Sequence, residues 1–376
     1  MRAAHLALVE NWWSLPDTGS FVVFLGGWVA GWVGFVRARR LPRVTNARHP
    51  DDAATGVRGA PTRAAVSVIV PCRNEAANLD GLLPSLHGAL SDGDEIIVVD
   101  DDSSDATVTV ARRHGARVVT AGALPPGWAG KPNACWQGVQ SARHDVLLFV
   151  DADVRVGVGA IDDVVGLLNE HLDAAVSAMP WHRTQGFVEK FSMLFNVISA
   201  MVASVGHRGV RRVAYGPFLV VRRDAYLQSG GHAHPTVRGA VVEDLALARV
   251  MPQAVATVAS ASQVEYRMYP LGWRQLLEGW TKNTAIGASN VPRMSAALII
   301  AWVVSLCGGP LTSAWCYVLS AVQVAVMSRR FGNFGVGSAL AYPLHAAVFV
   351  AVAVRSALRS ALLGSVGWRG RTIATR

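Results

Sequence analysis

Charge is in short supply in this chain. Of its 376 residues, 16% are Asp, Glu, Lys or Arg, while 51% are hydrophobic and the mean hydropathy is +0.30. An ordinary soluble enzyme is not so apolar, so the composition points to membrane segments. Acids are scarcer than bases, 26 against 35, for a formal net charge of +9. That balance suits either nucleic acid or a negatively charged membrane surface. No basic helix, RNP-like motif or zinc module is present, which argues against nucleic acid. The arginines gather at the edges of apolar segments, which favours the membrane. Cysteine is also rare. Cys72, Cys135, Cys307 and Cys316 form no C-x-x-C pair, which excludes a disulfide framework and a zinc site.

What is present begins with apolar runs at both ends. Residues Phe21 to Val36 carry no charge, and Arg37, Arg39, Arg40 and Arg43 follow. The run approaches the ~20 residues of a span, and its basic flank lies on the wrong side for a signal peptide. The positive-inside rule puts residue 37 onward in the cytoplasm. At the other end, Ala296 to Gly308 and Leu311 to Met327 read as two spans joined at Gly308-Gly309-Pro310. Tyr342 to Val354 is a third apolar piece, interrupted by Arg355 and Arg359. Three full spans would put the Arg369, Arg371 and Arg376 tail outside, against the same rule, so this piece is either a span or a re-entrant or interfacial segment.

Between the ends lies an α/β pattern. Val66 to Val70, Glu95 to Val99, Arg117 to Thr120 and the run from Asp145 to Val150 read as strands. Helices are expected over Ala76 to Leu90, after the Ser- and Asp-rich stretch Asp100 to Thr107, and over Pro132 to Ala142. This alternation implies parallel βαβ units, and the loops after the strands open on one rim. Ala174 to Met179 and Pro217 to Val221 read as further strands. Phe187 to Val205 admits two readings, an amphipathic helix lying on the bilayer or a plain core helix.

The rim carries acids. Val146-Leu147-Leu148-Phe149-Val150 is apolar throughout and stops at Asp151-Ala152-Asp153. Alone, such an acid pair reads as a solvated turn. Two close carboxylates also suit a divalent cation holding a diphosphate. Glu243 and Asp244 open another helix, where the helix dipole favours acids.

In this order, V-S-V-I-V-P-C-R-N-E, V-V-D-D-D-S-S-D-A-T, D-A-D and E-D resemble the family-2 glycosyltransferases of GT-A fold, over about Val66 to Asn283. Pro126-Gly127-Trp128-Ala129-Gly130-Lys131, Gly230-Gly231-His232 and Tyr266-Arg267-Met268-Tyr269-Pro270 resemble the carotenoid-acid branch, of the 4,4′-diaponeurosporenoate type. Hopanoid-associated and ceramide glucosyltransferases look similar, and Gly367-Trp368-Arg369-Gly370-Arg371 resembles a tail of that group. The Q-x-x-R-W of processive members is missing. Trp280 matches its Trp, but Leu276 and Gly279 stand where Gln and Arg would be, and Lys282 offers a cation nearby.

The resemblance implies an α/β fold with a mostly parallel sheet, flanked by N- and C-terminal transmembrane or interfacial helices. It divides the chain into an anchor over residues 1–45, a linker over 46–63, a catalytic domain over 64–290 and a membrane region with a basic tail over 291–376. It implies transfer from a UDP-sugar to a membrane lipid, at the cytoplasmic face of the cell membrane, with Mg²⁺ or Mn²⁺. Pro71, Glu75, Asp100, Asp101 and Asp102 would hold the nucleotide. Arg73 would face the phosphates or pair with an acid. Lys131 would meet a phosphate or sugar hydroxyl. Asp153 would hold the metal, with Asp151 on the sugar or ribose edge and as a second metal ligand. Asp244, beside Glu243, would act as the base. His232, Trp280 and Lys282 would line the sugar or acceptor pocket, and Trp273 would sit at the membrane interface. The rival readings are a polyprenyl-phosphate or polysaccharide-forming glycosyltransferase and a membrane protein that binds nucleotide sugar without turnover.

Overall fold

The computed structural model describes residues 12–44, 63–204, 213–288, 291–363, 365–368 and 371–374. Residues 46–62 of the expected linker and Arg369 and Gly370 of the tail motif lie outside the described residues. The chain forms two units. One comprises residues 40–181 and 209–266, the other residues 1–39, 182–208 and 267–376.

The first unit is built on a sheet. Its strands are β1 (Val66–Cys72), β2 (Glu95–Asp100), β3 (Arg117–Thr120), β4 (Val146–Val150), β5 (Val154–Val156) and β6 (Ala174–Met179). A two-residue β7 (Trp181–His182) follows, then β8 (Phe218–Arg222), β9 (Gln253–Val258) and β10 (Val264–Tyr266). Seven strands form the main sheet, in the order β3-β2-β1-β4-β8-β6-β9. The first four are mutually parallel, while β8 runs antiparallel between β4 and β6. β4 is therefore central. All five of its residues are buried, which explains why its sequence is apolar without alternation. The expected strands are present. β5, β9, β10 and the helix Ala160–Asn169 add to them.

Helices Ala76–Ala89, Thr107–Arg113 and Gly130–Ser141 alternate with the parallel strands. Gly138 packs so closely that a Cβ there would stand 2.4 Å from Ile69 of β1. Arg63, expected at the end of the linker, is instead fixed to the domain. Its buried guanidinium pairs with Asp94 at 2.6 Å and Asp162 at 2.5 Å.

The second unit is helical. Among the described residues, three helices are long and apolar enough to cross a membrane: Thr18–Val36, Arg293–Thr312 and Tyr342–Leu362. The helix Ala314–Ser328 has 15 residues, or ~22 Å at 1.5 Å per residue, short of a ~30 Å hydrocarbon core. The expected break at Gly308-Gly309-Pro310 is not there, because the helix runs on to Thr312. Pro310 lies in the final turn, where it has no N–H to give the Leu306 carbonyl, and the helix ends two residues later. The break falls at Ser313, whose extended backbone starts the next helix and whose hydroxyl accepts from the Trp315 amide at 3.1 Å.

Thr18–Val36 packs antiparallel on Arg293–Thr312 through a G-x-x-x-G pair, Gly27 and Gly31. A Cβ on Gly27 would lie 2.2 Å from the Ala301 carbonyl, and one on Gly31 would lie 2.4 Å from the Trp302 ring. Small residues let the backbones approach in this way. The Trp302 indole donates to Gln323 at 2.9 Å, and the Gln323 amide donates to the Trp28 carbonyl at 2.7 Å. The segment Val188–Ser192 and most of the helix Met193–Ser204 are buried within this unit, while Phe187 is exposed.

Candidate functional site

The rim at the carboxyl ends of β1, β2 and β4 gathers the polar residues of the first unit. The β1 and β2 loops are stitched together. The Asp101 amide donates to the Cys72 carbonyl at 2.8 Å, and the Ser104 amide donates to the Asn74 side chain at 2.8 Å. Asn74 and Asp102 both adopt left-handed backbone, with φ of 55° and 60°. Asn and Asp tolerate this region better than other side chains do. Asp100 is buried at the end of β2 and accepts from the Ser103 amide at 3.3 Å. Arg73 lies 3.7 Å from Asp101 and 4.0 Å from Asp102, on an exposed face. In this structure it faces acids, as its ion-pair reading expects. The Glu75 carboxylate accepts from Asn78 at 2.6 Å, and its amide donates to Thr107 at 2.9 Å. Pro71 sits within β1, opposite Val99 of β2.

Past β4, Asp151 and Asp153 occupy the turn before β5, and the Asp151 amide donates to the Pro217 carbonyl at 3.1 Å. Lys131 reaches this turn. Its ammonium lies 2.6 Å from Asp151 and 2.7 Å from Glu243. The lysine was expected in a loop, but it opens the helix Gly130–Ser141 as the second residue. The preceding turn needs Gly127, whose φ is 79°, and is tied by the Ala129 amide to the Arg238 carbonyl at 2.8 Å.

Glu243 and Asp244 begin the helix Glu243–Val250, as the dipole allows, yet the Glu243 carboxylate goes to Lys131. Asp244 is locked by two amides, from Gly216 at 2.7 Å and from its own neighbour Leu245 at 2.8 Å. Gly216 was not singled out from the sequence. A Cβ there would sit 3.1 Å from an Asp244 carboxylate oxygen, and only the Gly-Pro before β8 hinted at a tight approach.

The electrostatics follow from this crowding. Burial, Asp151 and Glu75 push the Asp153 carboxyl up to about 7. Burial and Glu243 raise Asp244 to about 6, against the pull of Lys131. Burial alone would lower Lys131, but Asp151 and Glu243 hold it well above the usual lysine range. Burial and Asp244 raise the Tyr215 hydroxyl.

The raised Asp153 marks a place short of positive charge, and Asp151 and Asp153 are hard oxygen donors. They fit a divalent cation such as Mg²⁺, which keeps waters and takes phosphate oxygens as its other ligands. Among the described residues no group of three or more His, Cys, Asp or Glu is placed to hold a metal.

His232 is 3% exposed. Its Nδ1 meets the Tyr226 hydroxyl at 2.8 Å, and its amide donates to the same oxygen at 2.9 Å. The hydroxyl, having accepted from the amide, has its own hydrogen for Nδ1. Burial and Lys131 push this imidazole down to about 3, so it stays neutral. Its ring meets Phe149 of β4 edge-on at 5.1 Å.

Trp280 and Lys282 belong to the helical unit. Trp280 stacks on Phe195 at 4.5 Å and donates to Ser192 at 3.0 Å, inside that unit's core. Trp273 is partly exposed, with its ring 4.6 Å from Phe191. Leu276 is fully buried, and a Cβ on Gly279 would meet the Tyr269 ring at 2.2 Å. Gly279 therefore has no room for the Arg of Q-x-x-R-W, and a Gln at 276 would bury its amide in an apolar site.

Comparisons with known proteins speak to the family and the fold. Residues 67–227 match the model of Glycosyl transferase family 2. A 4,4′-diaponeurosporenoate glycosyltransferase of Staphylococcus aureus (strain MRSA252) is 30% identical over 336 residues, covering 82% of this chain and 88% of that one. The protein of the same name from strain USA300 is 29% identical over 333 residues, with the same coverage. A mannosyltransferase from Pyrobaculum calidifontis, solved with GDP-Man and Mn²⁺, is 18% identical. It shares the fold over 90% of this chain and 97% of its own, with a TM-score of 0.52. The central sheet with its flanking helices is thus of GT-A type, and the chain belongs to glycosyl transferase family 2 as a glycosyltransferase.

Proposed function

We propose that the enzyme moves a sugar, glucose in the first instance, from a UDP-sugar to a membrane lipid at the cytoplasmic leaflet, and that the lipid is a carotenoid acid. The observation that carries the transfer reading is the meeting of Asp151, Lys131 and Glu243 beyond the central strand. The name shared by the Staphylococcus aureus relatives supports the acceptor, since those proteins align along 82% of the chain. Three apolar helices of spanning length support the membrane setting.

In this reading the acceptor oxygen forms a bond to the anomeric carbon as the bond from that carbon to the β-phosphate oxygen breaks. The configuration inverts, and UDP departs with the electron pair. The β1 and β2 loops, with Pro71, Arg73, Glu75 and Asp100 to Asp102, bind the nucleotide. Asp151 and Asp153 would hold Mg²⁺ or Mn²⁺, which would supply Lewis-acid neutralisation of the departing diphosphate. Lys131 stands beside the same charge. Asp244, fixed by the Gly216 amide, takes the acceptor proton where there is one. His232 props the floor under the site through Tyr226 and Phe149.

The test is incubation of the detergent-extracted enzyme with UDP-glucose and a carotenoid acid, followed by mass spectrometry of the lipid. A lipid heavier by one hexosyl residue, absent after EDTA, is expected. No heavier lipid with any UDP-sugar overturns the donor assignment. A product only with hydroxyl lipids overturns the acceptor.

A further inference from the structure

Lys131 joins two acids that are distant in sequence. Asp151 follows β4, Glu243 begins a helix, and one ammonium reaches both, at 2.6 and 2.7 Å. The lysine stands on a rigid base, the first turn of Gly130–Ser141, whose entry is pinned by the Ala129 amide at the Arg238 carbonyl. Charge-assisted contacts of this length are the strong kind. They also engage an Asp151 oxygen that a divalent cation would use.

We propose that Lys131 is a built-in counter-cation that holds Asp151 to Glu243 in the donor-free enzyme and makes metal binding at Asp151 and Asp153 conditional on an incoming diphosphate. This rests on the metal placement given above. Without donor, an entering divalent cation shares Asp151 with an ammonium, and like charges at that separation repel. A diphosphate changes the balance, because its oxygens accept from Lys131 while adding negative charge for the metal. Lys131 then lets go of Asp151, and the hold on Glu243 slackens with it. Donor arrival at the β4 end is in this way transmitted to the acids beside the acceptor.

The experiment is Mn²⁺ titration of the full-length enzyme in detergent, followed by electron paramagnetic resonance, first without nucleotide and then with UDP. The wild type is expected to bind Mn²⁺ weakly alone and more tightly with UDP. Lys131→Met is expected to bind Mn²⁺ alone about tenfold more tightly than the wild type, and to gain less from UDP. Lys131→Arg, which keeps the charge, is expected to behave as the wild type. Lys131→Gln makes the same comparison if Lys131→Met does not fold. Mn²⁺ affinity that does not rise in the neutral variants overturns the proposal. Asp153→Ala separates the two failures. Mn²⁺ binding that survives Asp153→Ala removes the metal placement itself. Binding that depends on Asp153 but ignores Lys131 removes only the role of the lysine.

Discussion

Asp244 is the residue whose chemistry depends most on the acceptor. With its carboxyl raised to about 6, it is ionised above that pH and protonated below it. A hydroxyl acceptor needs the ionised form, so transfer to an alcohol should fall as the pH drops through about 6. Asp244→Asn should then cost on the order of 10²–10⁴-fold in kcat. A carboxylic acceptor arrives without its proton, so the same variant should cost well under 10²-fold and the acid limb should disappear. Steady-state rates with paired acid and alcohol lipids measure both. Tyr226→Phe is a second residue-scale prediction. It strands His232 Nδ1 and the His232 amide in the core, at a cost of about 1–3 kcal/mol, read as a lowered Tm in detergent. The acids of this site were legible in the sequence because each follows a strand or opens a helix. The link through Lys131 was not, since nothing in local spacing shows that residues 131, 151 and 243 meet. Gly216 was hidden for a related reason, because its role lies in what its missing side chain leaves room for.

At the scale of elements, the helix Thr18–Val36 gives the sharpest contrast. Gly31→Leu drives a side chain into Trp302 and disturbs its bond to Gln323. Overpacking of this sort costs ~1–3 kcal/mol or more, and loss of monodisperse protein in detergent should report it. Gly26→Leu, one turn away with nothing within 4 Å, should be tolerated. Equal damage from both would contradict the packing. The parallel strands were plain in the sequence, since short apolar runs rich in Val and Ile, bounded by turn residues, have few other uses. β5 escaped because three residues make no pattern, and β9 because Ala and Thr dilute its apolar character. The helix Ala160–Asn169 was masked by its acids. Asp163 accepts from the Val44 amide at 2.7 Å and from Gln263 at 2.7 Å, and Asp162 pairs with Arg63. The Gly-Gly-Pro at 308–310 marked the end of this helix only to within a few residues, since the helix includes all three and ends at Thr312.

For the whole molecule, the scarcity of charge has a structural counterpart in the three helices, among the described residues, that are long and apolar enough to cross a membrane. The enzyme should stay with the membrane through high-salt and carbonate washes and leave it only with detergent, which fractionation and immunoblotting check. Release by salt would mean attachment through the basic surface alone. In the proposed function the acids ending β4 grip the diphosphate of the donor through a divalent cation. Anomalous diffraction from crystals grown with UDP-sugar and Mn²⁺ shows where that cation sits. A manganese peak beside Asp153 and the diphosphate is expected, with Lys131 moved off Asp151. A manganese peak elsewhere, with Lys131 still bound to Asp151 and Glu243, would rule the proposal out.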